Sequence, residues 1–314
     1  MQLKQALLGA VAVAGAFLAV PALAQDDAAN IIVVTHGQAS DPFWSVVKNG
    51  VQKAAEDTGA TVDYRAPETF DMVAMGQLID AAVNQEPDGL VVSIPDADAL
   101  GPSIERAVEA GIPVISMNSG VEASKKLGAL LHVGQEEIDA GRKGGEALKE
   151  MGGTKGLCVN QEVGNVALDQ RCQGFKEGFG GNVTVLPVAM DPAEIKAKVK
   201  AALQSDPEID TILALGAGSA GEPTLAALED MGKAGQIHLA TFDLSANFLK
   251  AVAEGKADFA IDQQQFLQGY LPVAFLSLYH QYGLIPGGNV PSGPNLITKD
   301  KAEQVIDLSA KGIR

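Results

Sequence analysis

The sequence predicts an α/β protein with two lobes, each built on its own doubly wound parallel sheet. Three observations predict it. Short apolar, β-branched runs alternate with helical patterns along most of the chain. Those runs are continuous rather than alternating in polarity, the pattern of parallel strands buried on both faces. The runs that start at residues 31, 61, 89 and 112 are matched by runs that start at 155, 183, 211 and 237, an offset of about 122–125 residues. The repeat is one of architecture, not of residues.

The elements follow in order. Strand-like runs are IIVVTH (31–36), TVDYRA (61–66), GLVVSI (89–94), IPVISMN (112–118) and LLHVGQ (130–135) in the first half. Helical patterns fall between them at 43–57, 72–84 and 99–110. The second half has KGLCVN (155–160), VTVLPVA (183–189), TILALG (211–216) and IHLATFD (237–243), with helical patterns at 167–178, 193–204, 223–231 and 246–254. A long helix at 264–282, a Gly/Pro-rich stretch at 285–295 and a last helix at 301–310 complete the chain. This layout predicts three crossings between lobes, near 133–135, 263–265 and 291, which together form a hinge. One lobe is expected to hold residues 30–133 and 265–290, the other 134–263 and 291–314.

The first residues read as an export signal. Lys4 precedes an apolar run at 6–20, and Ala22-Leu23-Ala24 offers a small-residue cleavage site, so residues 1–24 are expected to be removed. The run is shorter than the ~20 residues of a membrane helix, and no cysteine follows it to carry a lipid. The expected location is an extracytoplasmic space such as the periplasm, with the protein free in solution. The formal charge is −16, and no basic run exists, which argues against nucleic acid or an anionic membrane as partner. Cys158 and Cys172 are the only two cysteines. In an oxidising compartment they form either a disulfide or two buried thiols.

Candidate binding residues cluster where strands end. In doubly wound sheets ligands bind beyond the carboxyl ends of the strands, so two facing sheets define one cleft. The loop after the first strand carries His36, Gln38, Asp41, Phe43 and Trp44. Asp41 is placed to cap a helix that has Pro42 in its first turn. An aromatic face at that junction stacks on the C–H face of a sugar ring, with one of the pair expected to face ligand and the other to pack. His36 and Gln38 are placed to hydrogen-bond a hydroxyl or to brace the loop. Asn118 ends the fourth strand and both donates and accepts; its alternative role is a turn residue. Arg171 and Asp243 are expected to neutralise each other across the pocket, and Gln263 lies at a crossing.

GAGSAG (216–221) follows a strand and precedes a helix, with Asp243 at the end of the next strand, which matches a dinucleotide fingerprint. Its late position in the chain, the exported location and the lack of hydride-transfer partners beside it argue against a cofactor. Glycines there also let a ligand or the opposite lobe approach the backbone. The four histidines (His36, His132, His238, His280) show no metal spacing, and no catalytic constellation stands out. Asp96 and Asp98 fit a helix N-terminus. The expectation is a binding protein without cofactor or metal; an exported NAD-linked sugar oxidoreductase is the enzyme alternative.

The segments DPFWSVVKNGVQKAAEDTG (41–59), DGLVVSIPDADAL (88–100), AGIPVISMNSG (110–120), RCQGF (171–175), ATFD (240–243) and AIDQQ (260–264) resemble the type I periplasmic sugar-binding proteins, the ribose-binding-protein group, over the whole chain after the leader. The resemblance implies two Rossmann-like lobes joined by a three-stranded hinge, closure on a sugar, and handover to the membrane permease of an ABC importer by a monomeric receptor. Service to a chemoreceptor or capture of an autoinducer is the alternative client. Position by position, it assigns ligand contacts to Asp41, Phe43, Trp44, Asn118, Arg171, Asp243 and Gln263. The sequence departs from the ribose pattern at Asn118 (Asp in ribose binders), Ser119 (Arg), Gly216 (near an Asn) and Met190 (about where an aromatic belongs). These departures imply a less charged pocket for a neutral sugar, deoxysugar or sugar alcohol. The group's sensing repressors carry an N-terminal DNA-binding segment where this chain has a leader.

Overall fold

The computed structural model describes residues 28–37 and 41–314; the expected leader and Gln38 lie outside the described residues. The first lobe contains Asn30–Val34 (β1), Pro42–Thr58 (α1), Thr61–Arg65 (β2), Met72–Val83 (α2), Gly89–Ser93 (β3), Ala97–Glu109 (α3), Val114–Asn118 (β4), Val121–Lys126 (α4) and Leu131–Gly134 (β5). The second contains Glu137–Glu150 (α5), Gly156–Asn160 (β6), Val166–Phe179 (α6), Val183–Pro187 (β7), Pro192–Ser205 (α7), Thr211–Ala214 (β8), Glu222–Asp230 (α8), His238–Phe242 (β9), Ala246–Ala253 (α9) and Phe259–Asp262 (β10). Gln265–Tyr282 (α10) and Val290–Pro291 (β11) return to the first lobe. Asn295–Thr298 (β12) and Lys299–Ala310 (α11) return to the second.

The two sheets have the same plan. The strand order is β2-β1-β3-β4-β5-β11 in one and β7-β6-β8-β9-β10-β12 in the other. All pairings between these strands are parallel except β10 with β12. Each order reverses at the neighbouring strands β1 and β3, or β6 and β8, and the rule for such sheets puts the binding crevice at their carboxyl ends. The continuous apolar runs are explained by burial on both faces. In β1, Ile31 and Val33 pack under α1 and α10, while Ile32 and Val34 pack under α2 and α3. The edge strands β2 and β7 are half-exposed. Strand β5 runs to Gly134 and β11 to Pro291, so both reach past the expected lobe boundaries by a residue.

Helix α5 has no counterpart among the sequence-predicted elements. Its glycines explain why. They blur the apolar period, yet they let α5 lie directly on α6. A side chain at Gly174 would begin 2.0 Å from Ile138 O, and one at Gly141 would begin 2.2 Å from Arg171 O. The first lobe repeats the device: Gly50 faces Phe266 O and Gly269 faces Val47 O, both at 2.1 Å, where α1 meets α10. The short strands β10 to β12 were also unpredicted, since two to four residues give little periodicity.

Three crossings link the lobes, β5 to α5, β10 to α10 and β11 to β12, and they converge. Ser292 N donates to Gly134 O (2.7 Å), Gln264 Nε2 donates to Ser292 O (2.6 Å), and Gln268 Nε2 donates to Ser292 Oγ (3.0 Å). A side chain on Gly293 would meet Gln135 Oε1, Asp262 O and Gln263 Cα at 2.9–3.0 Å. The cysteines form a disulfide, Cys158–Cys172, that ties β6 to α6 inside the second lobe's core. Among the described residues, no helix is long and apolar enough to cross a membrane.

Gly174→Ala is expected to force α5 and α6 apart and to cost about 1–3 kcal/mol of stability or more. A urea midpoint equal to that of the unaltered protein would show that the close approach is dispensable.

Candidate functional site

The carboxyl ends of both sheets close on one narrow cavity of about 30 Å³, far smaller than open small-molecule sites (roughly 300–1,000 Å³), so the lobes stand close together around it. From the first lobe it is lined by His36, Asp41, Phe43, Trp44 and Asn118. From the second it is lined by Gln161, Glu162, Asn165, Arg171 and Asp243, with Gln263 at a crossing. Leu168 and Leu215 complete the wall. Every candidate residue within the described segments, except the disulfide pair, therefore reaches this one cavity. Met190 does not.

Local chemistry places each group. Asp41 caps α1, accepting from Phe43 N at 3.0 Å, and Pro42 starts the helix. The cap orients Phe43 and Trp44, which pack edge to face with ring centroids 5.0 Å apart. Both aromatics line the cavity and both pack into the lobe's core, so the expected division of labour between them does not occur. Asn118 and Asp243 end their strands with φ of 63° and 67°. That left-handed conformation favours Asn and Asp among non-glycine residues, and it turns both side chains into the cleft.

Arg171 does not pair with Asp243 as expected. Its guanidinium grips Glu137 of α5 instead, with Nε donating to Oε2 at 2.7 Å and Nη2 to Oε1 at 3.0 Å. It also donates to Leu215 O and to Gln263 Oε1, both at 3.4 Å, and stacks 4.5 Å over the Phe242 ring. Asp243 Oδ1 instead accepts from Gln263 Nε2 at 2.5 Å. Gln268 on α10 donates to Gln263 Oε1 (3.0 Å) and accepts from Asn118 Nδ2 (3.1 Å). One chain of hydrogen bonds thus runs from Asn118 through the crossing to Asp243 and Arg171.

His36 is engaged by protein on both ring nitrogens. Nδ1 meets Ser93 Oγ at 2.8 Å, and Nε2 accepts from Asn165 Nδ2 at 3.3 Å across the cleft. Burial, aided by the Arg171 charge, lowers its pKa to about 3, so its approach to Glu162 is not an ion pair. Trp44 packs edge-on against the same ring at 4.7 Å. The lobes touch around the cavity: Val166 N donates to Pro95 O (3.0 Å), Ser119 Oγ lies 3.3 Å from Asn165 Oδ1, and Pro42 abuts Gly218. The glycine-rich segment forms a single π-helical turn, 217–221, so it admits the opposite lobe closely. The Ser219 hydroxyl and Gln161 amide fill the space over Gly216.

The cavity holds more acid than expected. Glu162 joins Asp41 and Asp243 on its wall, while Glu137 takes up the Arg171 charge. Burial raises the pKa of Asp41 and of Asp243 to about 7; nearby carboxylates add to the shift, and Arg171 partly offsets it for Asp243. Burial raises Glu162 as well, against its bond to Asn165. For Arg171, burial opposes the charge, but Glu137 outweighs it and the pKa rises. Among the described residues, no three His, Cys, Asp or Glu side chains gather to hold a metal ion.

Sequence reasoning missed Gln161, Glu162, Asn165, Glu137 and Gln268. Asn165 was the most accessible of these, because an Asn just before an apolar-periodic helix is a capping signal, and it caps α6 through Ala167 N at 3.0 Å. Nothing local marks Glu137 or Gln268 as cavity residues, because the partners that tie them to it, Arg171 and Asn118, are distant in sequence.

Two parallel-sheet lobes that meet around one polar cavity, linked by three crossings, define a type I solute-binding architecture. The chain belongs to the periplasmic binding protein domain family, whose model matches residues 27–281. A solved carbohydrate transporter of Acidothermus cellulolyticus 11B, in complex with myo-inositol, is 35% identical with a TM-score of 0.87, covering 91% of this chain and 100% of that one. The xylose/arabinose-binding protein XylF of Sulfolobus acidocaldarius is 24% identical over 88% of this chain and 72% of its own length. A xylitol-binding protein of Mycolicibacterium smegmatis is 26% identical over 79% of this chain and 73% of its own.

Asp243 gives a pH signature. In the unfolded chain its carboxyl ionises near 4, whereas in the fold it keeps its proton to about 7. Between those values the folded state binds the extra proton, so this group's contribution to stability falls as pH rises. His36 contributes with the opposite slope, so the difference between variants is the measure. The stability of Asp243→Asn relative to the unaltered protein is expected to improve as pH goes from 5 to 8 in the absence of ligand. A pH-independent difference would show Asp243 ionised throughout.

Proposed function

We propose that this chain is a periplasmic receptor that binds a neutral ring sugar or polyol in the interlobe cavity and presents it, by hinge closure, to the membrane permease of an ABC importer. The observation that carries this reading is the composition of the cavity wall. Two aromatic side chains stand on one lobe, and hydrogen-bonding groups of both kinds come from both lobes. A saturated ring offers C–H faces to Phe43 and Trp44. Its hydroxyls supply donors for Asp41, Glu162 and Asp243 and acceptors for Arg171 and Asn118. An anionic ligand would face three acidic groups with one cation that Glu137 already pairs. The likeness to an inositol complex and to pentose- and xylitol-binding proteins supports the same class of ligand. No catalytic chemistry is needed: the ligand touches both lobes, so its binding energy favours the closed form.

The leader at residues 1–24 and the extracytoplasmic location belong to this proposal, as does action as a monomer. So do the expected lobe boundaries, at the three crossings. Ligand contact is assigned to Asp41, Phe43, Trp44, Asn118, Arg171, Asp243 and Gln263. His36 is assigned to bracing Trp44 and Asn165.

The test is a binding screen of the purified protein by thermal shift and calorimetry, with myo-inositol, xylitol, D-xylose, L-arabinose and D-ribose. At least one is expected to raise the melting temperature and, because Trp44 is the only tryptophan, to change tryptophan emission. Asp243→Ala should weaken that ligand roughly 10- to 100-fold, the effect of losing a buried charge-assisted hydrogen bond. A screen without a binder would overturn the ligand class, and an unaltered affinity in the variant would move the site elsewhere.

A further inference from the structure

Gln161 follows directly on β6, where Glu162 N donates to Asn160 Oδ1 at 3.0 Å and fixes the turn. Its side chain lines the cavity and the residue is only 7% exposed. Among the described residues its Oε1 has no hydrogen-bond partner. Buried amides are rarely left so, because an unpaired acceptor forfeits its hydration with nothing in return. Here the unpaired acceptor belongs to a group on the wall of the cavity between the lobes.

A second observation, independent of the first, concerns Gly216 at the end of the β8 segment. Its φ is −167°, extended backbone that any residue adopts, so conformation does not demand glycine there. Space does. A side chain at 216 would begin 2.4 Å from Ser219 Oγ, 2.9 Å from Gln161 Nε2 and 3.7 Å from Asp243 Oδ2. The bare backbone of residue 216 is the bed on which the Gln161 amide lies, next to Asp243.

We infer that Gln161 is a specificity-determining residue of the cavity: its carboxamide, bedded on Gly216, reads a hydroxyl of the ligand from the second lobe. The inference deepens the proposed sugar or polyol binding and rests on it. The neighbouring acidic groups chiefly accept hydrogen bonds. The Gln161 amide adds both an acceptor, Oε1, and a neutral donor, Nε2. A hydroxyl supplies both complements, whereas a deoxy position supplies neither and leaves the amide buried and unpaired. A site of this kind rejects the analogue that lacks the hydroxyl. The ligand it selects is therefore fully hydroxylated on the face turned to β6 and β8.

The test uses calorimetry on the full protein, with the tightest binder among myo-inositol, xylitol, D-xylose, L-arabinose and D-ribose and that compound's monodeoxy analogues. The unaltered protein is expected to prefer the parent over at least one analogue by roughly tenfold or more. Gln161→Ala should weaken the parent by about the same factor and leave that analogue's affinity unchanged, so the preference disappears. Gly216→Ala, which dislodges the amide without removing it, should reduce the same preference, and its melting temperature shows whether the fold is intact. Equal weakening of parent and analogues in Gln161→Ala, or no weakening, overturns the assignment while binding by the unaltered protein leaves the proposed function standing. Binding of none of the parents overturns the proposed function and this inference with it.

Discussion

A guanidinium buried in a protein interior must be paired, because the cost of removing a charge from water is recovered only by close opposite charge and filled hydrogen bonds. Arg171 meets that requirement through Glu137, and much of the second lobe's contribution to the cavity is arranged around the pair. The bidentate contact joins α5 to α6. The remaining donors reach Leu215 at the end of β8 and Gln263 at a crossing, and the flat face of the guanidinium covers Phe242. One side chain therefore registers two helices, two strand ends and the hinge. The pair needs α5 and α6 in backbone contact, which the glycines at 141, 145, 174 and 178 permit.

The same pair explains how an acidic cavity can exist in a closed arrangement. With Arg171 committed to Glu137, the acidic groups at 41, 162 and 243 line one small cavity. Burial and mutual repulsion push their protons on. Protonated carboxyls are tolerable there without ligand, and ligand hydroxyls are a natural replacement for those protons. In the proposed mechanism this couples closure to occupancy: ionised and unliganded, the groups on opposite lobes repel, whereas a hydroxylated ring gives each of them a partner. The hydrogen-bond chain from Asn118 through Gln268 and Gln263 to Asp243 carries the arrangement of the cavity directly into the crossings.

Much of this was legible in the residues. The two-lobed plan followed from period and spacing, since a strand buried on both faces must be apolar throughout and its helix must follow at a set distance. The cleft residues were found by asking what stands at strand ends, where topology concentrates binding groups. Helix α5 escaped because glycines chosen for contact with a neighbouring helix erase the apolar stripe that marks a helix in sequence. Gln161 and Glu162 escaped because a polar loop residue looks the same whether it faces solvent or a cavity.

Sequence by itself determined the local choices: which of the longer apolar runs are strands, that Asp41 caps α1, and which residue types stand at the carboxyl edges. These depend on a residue and its near neighbours. The tertiary structure alone decided the partners. Arg171 meets Glu137 rather than Asp243, Gln268 joins Asn118 to Gln263, and Gln161 lies over Gly216. Each of these contacts joins residues from separate elements, and only the close approach of packed backbones brings them within hydrogen-bonding or van der Waals reach.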